Sequence, residues 1–392
     1  MKVATPLVLV LLLKLLNNYQ NTNKQKSRVI SALFFVKKVL MLICFYDIIL
    51  DMKKIVLDCL GGDNGLPAMV AGAVTALKQN PELQLVMVGD ESLIKPQVAE
   101  FGGRVEIVDT KVNIAMDEHP TVAIRTKTNS SLVLGLEQLK QREDCGAFVS
   151  AGSTGAVLTG GFMKIGRIPG VSRPALCPFL PTLVVNQEFM LLDAGANMDC
   201  TAVQLVQFAV MANEYQKAMG KATPRIALLN VGTEETKGNE VVKQAHAILV
   251  KLHDAGMLNF VGNIEPDQVM QGNVDVVVAD GFWGNVLLKS TEGATKFVFK
   301  SLKQIIASSF SAKIGALFLG RRLKKFKAEK MDKTNATVFL GLKKSVVKMH
   351  GNADARKVTS ALQYAMTVAD LDLSQRIEQT LAQVEPLLGE NA

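Results

Sequence analysis

The feature that most constrains this chain is a short, β-branched run that stops in a glycine loop and reopens as a helix. In Val274 to Gly293, Val274, Val276, Val277 and Val278 form a nearly continuous apolar segment. A strand buried on both faces of a parallel sheet reads this way. The run ends at Asp280-Gly281, Gly284-Asn285 follow, and Val286 to Lys289 begin a helical pattern. Ligands of open α/β sheets bind beyond the carboxyl ends of the strands. The loop therefore places a carboxylate, an amide, flexible backbone and a lysine where a small anion could be held.

The same unit recurs along the chain. Lys54 to Cys59 leads into Gly61-Gly62-Asp63-Asn64-Gly65, and Gln84 to Val88 into Gly89-Asp90. Arg104 to Val108 is a further strand. Ala147 to Ser150 leads into Gly152-Ser153-Thr154-Gly155, and Phe189 to Leu192 into Asp193 to Asn197. Arg225 to Leu229 ends at Asn230-Val231-Gly232, and Phe260-Val261 at Gly262-Asn263. Serial alternation of this kind predicts a parallel, doubly wound α/β sheet. A helix is expected after Pro67, another from His119-Pro120 through Leu139, and another over Val203 to Met219 capped by Asp199. The stripe Val241, Ala245, Ile248, Leu249, Leu252 predicts a helix ending at Gly256, with His246 and His253 on its exposed side.

Charge excludes one function class. The 392 residues carry a formal charge of +8, but it is unevenly spread. Seven Lys/Arg against two acids in residues 1–51 net +5, and Phe310 to Lys333 nets +6 from eight basic residues and two acids. The remainder is slightly acidic, so no nucleic-acid surface is implied. The five cysteines show no C-x-x-C spacing and read as free, mostly buried thiols. No metal-ligand spacing is present.

Residues 1–51 read as an extension outside the fold, and Met52 reads as the expected start of translation. The apolar runs Pro6 to Leu16 and Ser31 to Leu50 are interrupted by lysines and fall short of a bilayer span; a membrane anchor is the alternative. Residues 52–392 then form one α/β unit. It carries a helical excursion at about 292–333, apolar on one side and basic on the other. Leu317, Phe318, Arg321, Arg322, Lys324 and Lys325 are its candidate contacts with an acidic partner or an anionic membrane; a dimer-forming helical pair is an equal reading.

The glycine loops carry the chemistry. Small residues let backbone N–H groups approach an anion. Gly152, Ser153, Thr154 and Gly155 lack the Gly-Lys-Ser/Thr of a nucleotide-hydrolysing loop, and Gly61-Gly62-Asp63 is not G-x-G-x-x-G. A polar cleft for phosphate or an acyl carbonyl is expected instead. Its candidate binding residues are Gly61, Gly62, Asp63, the 152–155 loop, Lys237, Asn239, Asp280, Asn285 and His350. Asn197, Asn230 and Lys289 are the candidate catalytic groups that would stabilise a tetrahedral oxyanion. With no Ser-His-Asp order in evidence, direct attack by a bound anion is as good a reading as a covalent intermediate.

Seven motifs in order resemble those of the bacterial acyl-ACP:phosphate acyltransferases. They are L-D-C-L-G-G-D-N-G (Leu57 to Gly65), S-A-G-S-T-G-A (Ser150 to Ala156), L-L-D-A-G-A-N (Leu191 to Asn197), L-L-N-V-G-T-E-E-T-K-G-N (Leu228 to Asn239), F-V-G-N-I-E (Phe260 to Glu265), D-G-F-W-G-N-V-L-L-K (Asp280 to Lys289) and K-M-H-G (Lys348 to Gly351). The resemblance implies a three-layer Rossmann-like α/β sandwich akin to isocitrate dehydrogenase and phosphotransacetylase. It implies a cytoplasmic homodimer in peripheral contact with the membrane, feeding a membrane glycerol-3-phosphate acyltransferase. The donor would be acyl carrier protein, the acceptor inorganic phosphate, with no cofactor and no metal. Three departures from the family pattern fall at Asn335-Ala336-Thr337, Pro266 and Lys344, and are expected to touch turn geometry. A hydroxy-acid dehydrogenase and a non-catalytic scaffold of lipid synthesis are the alternatives.

Overall fold

The structure is a computed structural model that describes residues 53–330 and 336–388. The chain divides into two units, 1–52 and 53–392, and the description concerns the second. The expected extension, the expected start at Met52 and the departure at Asn335 lie outside the described residues, as do the side chains of Leu317, Lys324 and Lys325.

The strands belong to two sheets. The first orders β3 (Val105–Asp109), β2 (Leu85–Gly89), β1 (Lys54–Asp58), β4 (Cys145–Ser150), β12 (Ser345–Met349), β11 (Ala336–Leu340) and β5 (Ala175–Cys177). The second orders β6 (Phe179–Pro181), β7 (Glu188–Leu192), β10 (Val276–Val278), β8 (Arg225–Leu229) and β9 (Asn259–Ile264). Only β11 against its two neighbours and β6 against β7 are antiparallel. Pro178 stands between β5 and β6, so consecutive strands join different sheets. Proline has no N–H for a ladder, and the run breaks there.

Burial explains why these segments are strands. Ile55, Val56 and Leu57 are all fully buried, as expected where helices cover both faces of a sheet. Alternation divides them: Ile55 and Leu57 join one apolar core and Val56 the other. The first core includes α1 (Gly65–Gln79), α10 (Ala355–Ala369), α11 (Leu373–Val384) and α6 (Ala202–Ala218); the second includes α4 (Ser131–Gln141) and α5 (Thr154–Gly160). Both cores contain residues of both sheets, Met190 and Val276 in one and Leu191 and Val277 in the other. The α/β class expected from the alternation is what forms.

Several local expectations need correction. The stretch after His119 is two helices, α3 (Pro120–Thr126) and α4, because Ser130 caps α4 by accepting from Val133 N, and Thr110 Oγ1 donates to Asn129 O in the break. The cap of α6 is Thr201 rather than Asp199: Thr201 Oγ1 accepts from Gln204 N while Gln204 Oε1 accepts from Thr201 N. In α7 (Glu240–Asp254), His246 is buried rather than exposed, its ring edge-on to Phe260 at 5.1 Å. It borders the apolar stripe closely enough for β9 to cover it. Lys344 serves the fold by donating to Leu139 O and Arg142 O at the end of α4. The excursion has no break at Glu292. It is the continuation of α8 (Gly281–Ser308), followed by α9 (Phe310–Lys330). Among the described residues no helix is long and apolar enough to cross a membrane.

One buried carboxylate holds the entry to β10. Asp275 accepts from Arg225 N, Nε and Nη2 and from Lys221 Nζ. Burial pushes its carboxyl up, but the Arg225 and Lys221 hydrogen bonds more than offset this and hold it at about 2. A depressed carboxylate stabilises the fold above its unfolded pKa, and that contribution disappears as pH falls through about 2. Asp275→Ala is expected to cost about 2–3 kcal/mol at pH 7 in urea unfolding. A loss under about 0.5 kcal/mol, the range of an ordinary surface substitution, would show that the pairing adds nothing.

Candidate active site

Three loops of the first sheet meet at the carboxyl ends of its parallel strands. After β1, Gly61 N donates to Asp58 Oδ1, and Ser150 Oγ at the end of β4 donates to Asp58 Oδ2 at 2.6 Å. The buried Asp58 thus ties the 61–65 loop to the 150–155 loop. At Gly61 a Cβ would come within 2.8 Å of Gly152 N. Gly62 has φ +86°, and a Cβ there would press on Gly351 O at 2.7 Å. Asp63 N donates to that same carbonyl. Glycine at both positions is a requirement of this three-loop junction.

The second sheet brings the opposite wall. Asp193, wholly buried at the end of β7, accepts from Leu176 N (2.9 Å) and Ala196 N (3.1 Å) through Oδ1. Through Oδ2 it accepts from Asn197 N (2.6 Å) and Asn197 Nδ2 (2.9 Å). Burial pushes the Asp193 carboxyl up and these donors pull it back. Because Leu176 lies on β5 of the first sheet, one carboxylate bridges the two sheets. Asp280 caps α8 by accepting from Trp283 N at 2.8 Å, so the first turns of α8 run past this junction.

A cavity of about 240 Å³ lies between these walls. Its polar lining comprises Thr154, Asn285, Lys289, Thr337, Lys348 and His350; Leu176, Pro178, Phe179 and Leu288 contribute apolar lining. Four residues expected from sequence are therefore brought together: Thr154, Asn285, Lys289 and His350. Lys289 Nζ pairs with Glu292 Oε2 at 3.2 Å, and His350 Nε2 stands 4.0 Å from Glu292 Oε1. The His350 pKa is lowered from its ordinary value, chiefly by desolvation, while the Glu292 carboxylate acts the other way.

The other expected residues occupy different posts. Asn197 Nδ2 is committed to Pro174 O and Asp193 Oδ2. Asn230 accepts from Val231 N and donates to Lys237 O, which closes its own loop. Asn239 caps α7 by accepting from Val242 N. Lys237 is exposed on the 231–238 loop, and none of these four lines the cavity. Ser153 caps α5 by accepting from Ala156 N, and a Cβ on Gly155 would meet Pro120. On the helical excursion Phe318, Arg321 and Arg322 are exposed.

Two polar residues of the cavity, Lys348 and Thr337, were not anticipated as site residues. Lys348 lies in the quoted K-M-H-G motif, but its burial becomes visible only once β12 is placed between β4 and β11. Thr337 belongs to one of the three departures from the family pattern. It is not a turn residue: it lies in β11, and its register partner across the antiparallel pair is Lys348.

The family model described as "Fatty acid synthesis protein" matches residues 53–376. A phosphate acyltransferase of Brevibacillus brevis is 43% identical over 332 residues, covering 84% of this chain and 97% of the relative. A phosphate acyltransferase of Thermoanaerobacter pseudethanolicus is 40% identical over 331 residues, covering 84% and 97%. Among solved structures, a phosphotransacetylase from Streptococcus pyogenes superposes with a TM-score of 0.52 at 18% identity, covering 83% of this chain and 94% of that one. A branched-chain phosphotransacylase from Enterococcus faecalis V583 gives 0.52 at 13% identity, covering 81% and 99%. At these identities the structural likeness bears on the fold alone.

Proposed function

The chain belongs to the fatty acid synthesis protein family, whose relatives here are phosphate acyltransferases, and from that premise we propose that it transfers a fatty acyl group from acyl carrier protein to inorganic phosphate. The product is acyl phosphate for phospholipid synthesis. The observation that carries this reading is the meeting of Thr154, Asn285, Lys289 and His350 on one cavity that Leu176, Pro178, Phe179 and Leu288 also line. An acyl phosphate likewise joins a charged head to an apolar chain.

In this reading phosphate is held by the Lys289 ammonium and the Thr154 hydroxyl, with His350 beside them. It attacks the thioester carbonyl, whose acyl chain lies toward Leu176, Pro178, Phe179 and Leu288. Asn285, rather than Asn197 or Asn230, presents its amide to the developing oxyanion, because it lines the cavity while the other two amides are bonded within their own loops. Holding both reactants in one small cavity converts a bimolecular attack into an intramolecular one. The exposed surface of α8 and α9, on which Phe297, Phe318, Arg321 and Arg322 all face solvent, serves the carrier, a second copy of the chain or the membrane face.

The test follows release of carrier thiol from palmitoyl carrier protein and traps acyl phosphate with hydroxylamine. Release should require phosphate. Lys289→Ala and Thr154→Ala should each lower kcat/KM by about 10²-fold, the scale of one lost stabilising group. Folded protein that releases no thiol in the presence of phosphate would overturn the reading.

A further inference from the structure

Lys348 is the charged group at the cavity for which phosphate binding and carbonyl polarisation leave no task. It lies on β12 with 7% of its surface exposed and lines the cavity with His350, Asn285 and Lys289. Across the β11–β12 pair it stands opposite Thr337, and directly paired residues project to the same face. Thr337 lines the same cavity, and its buried Oγ1 has no hydrogen-bond partner. Lys348 Nζ donates to Met349 O; an ammonium carries three N–H groups, and the others are available to the cavity. Burying an ammonium without a matched carboxylate costs stability, and the sheet gains nothing from it that an apolar side chain would not supply.

We propose that Lys348 is a catalytic residue that gives its proton to the sulfur of the departing carrier thiolate and recovers one from the phosphate that has been acylated. This rests on the acyl-transfer reading above. Hydrogen phosphate dianion forms the new C–O bond as the C–S bond breaks and its electron pair moves to sulfur. The Lys348 ammonium protonates that sulfur, and the acyl hydrogen phosphate then passes its proton to the Lys348 amine. The products are acyl phosphate dianion and free thiol, Lys348 returns to its starting form, and no further reactant enters.

The surroundings suit a group that must both give and take a proton. Burial is the main influence on Lys348 and brings it down to about 8, while the Asp63 carboxylate of the β1 loop acts the other way. From α8, Lys289 and its ion-pair partner Glu292 stand at the same cavity edge, and His350 follows just beyond the end of β12. From β4, Ser150 is in register with Lys348 and donates its hydroxyl to Asp58. A pKa close to the working pH is the condition under which general acid–base catalysis is most effective.

The experiment compares the full-length wild type with Lys348→Arg and Lys348→Met, using palmitoyl carrier protein and the palmitoyl thioester of nitrothiophenol, whose thiolate leaves without protonation. Arginine keeps a cation in place but does not give up its proton near neutral pH; methionine fills the same volume without charge. On the carrier thioester both variants should lose about 10²–10³ in kcat. On the nitrothiophenyl thioester both should come within about tenfold of wild type, the proton-transfer share being no longer needed. In wild type kcat/KM should fall as pH rises through about 8, and this limb should vanish in Lys348→Arg. Equal losses on both thioesters, or a raised KM for phosphate with unchanged kcat, would overturn the proposal and make Lys348 a phosphate anchor. Phosphate-dependent release by wild type with unimpaired variants would defeat this proposal alone; its absence in wild type would defeat the acyl-transfer reading as well.

Discussion

Asp193→Ala is expected to cost about 4 kcal/mol of stability, since it leaves one buried and two partly buried backbone N–H groups without their acceptor and takes from the Asn197 amide one of its two acceptors. Each such group costs about 1–3 kcal/mol, and water entering the vacated space recovers only part of it. The loss also has a direction. Leu176 belongs to the first sheet and Asn197 to the loop after β7, so the truncation releases one wall of the cavity from the other. Activity per folded molecule should therefore fall with stability. Asp193→Asn keeps the shape and one acceptor oxygen but sets an NH2 group against donors, and should cost at least half as much. Urea unfolding of the two variants, read beside residual turnover, decides the matter. A cost below about 1 kcal/mol for Asp193→Ala would mean that these loops are held by packing rather than by the carboxylate.

The second large effect is expected at Gly284. A Cβ built there overlaps the Asp193 carbonyl oxygen, with Asp193 C at 3.0 Å and Ala194 Cα at 3.4 Å. These are backbone atoms and have no rotamer in which to escape. Gly284→Ala must therefore push the start of α8 away from the β7 loop, at a cost of about 3 kcal/mol or more, the upper range of overpacking. Asn285 and Lys289 ride on the same turns. A displacement of about 1 Å suffices to lower turnover about 10²-fold. Gly293→Ala provides the contrast: it is on the same helix with nothing within 4 Å of its Cβ, and should stabilise by about 0.5–1 kcal/mol through helix propensity alone. Thermal unfolding of the pair separates the two effects. Similar midpoints would remove the close approach as an explanation for glycine at 284.

Much of the fold was legible because it is written in short-range chemistry. A glycine such as Gly62 announces its turn within a few residues, and Val276 to Val278 announce a buried strand by composition. The helix over Glu240–Asp254 was readable from its apolar stripe. The errors have equally local causes. Asp199 and Thr201 are both competent caps two residues apart, and only the reciprocal bond with Gln204 selects the second. The strands β5, β6, β11 and β12 went unplaced, since segments of three to five residues carry little periodic signal.

The candidate site was legible in kind rather than in arrangement. Thr154, Asn285, Lys289 and His350 were named from glycine loops and polar residues near strand ends, and they do share one cavity. Asn197 and Asn230 came from loops of the same appearance, yet their amides close those loops from within. An Asn that binds a ligand and one that binds its own turn have the same sequence signature.

What the amino-acid sequence by itself determined is the series of strands, turns and helices, and the set of polar groups delivered to strand ends. Backbone strain, capping and side-chain alternation act over a handful of residues, so they can be read without the fold. Only the tertiary structure decided that the strands form two sheets, which loops meet, and which polar groups face a cavity. Those choices rest on contacts between distant segments, such as Asn64 Nδ2 to Ala353 O, 289 residues apart. Lys348 shows the division most plainly: its position in a motif was visible from the start, but its burial between β4 and β11 exists only when those strands have come together, because burial is a property of neighbours and not of the residue.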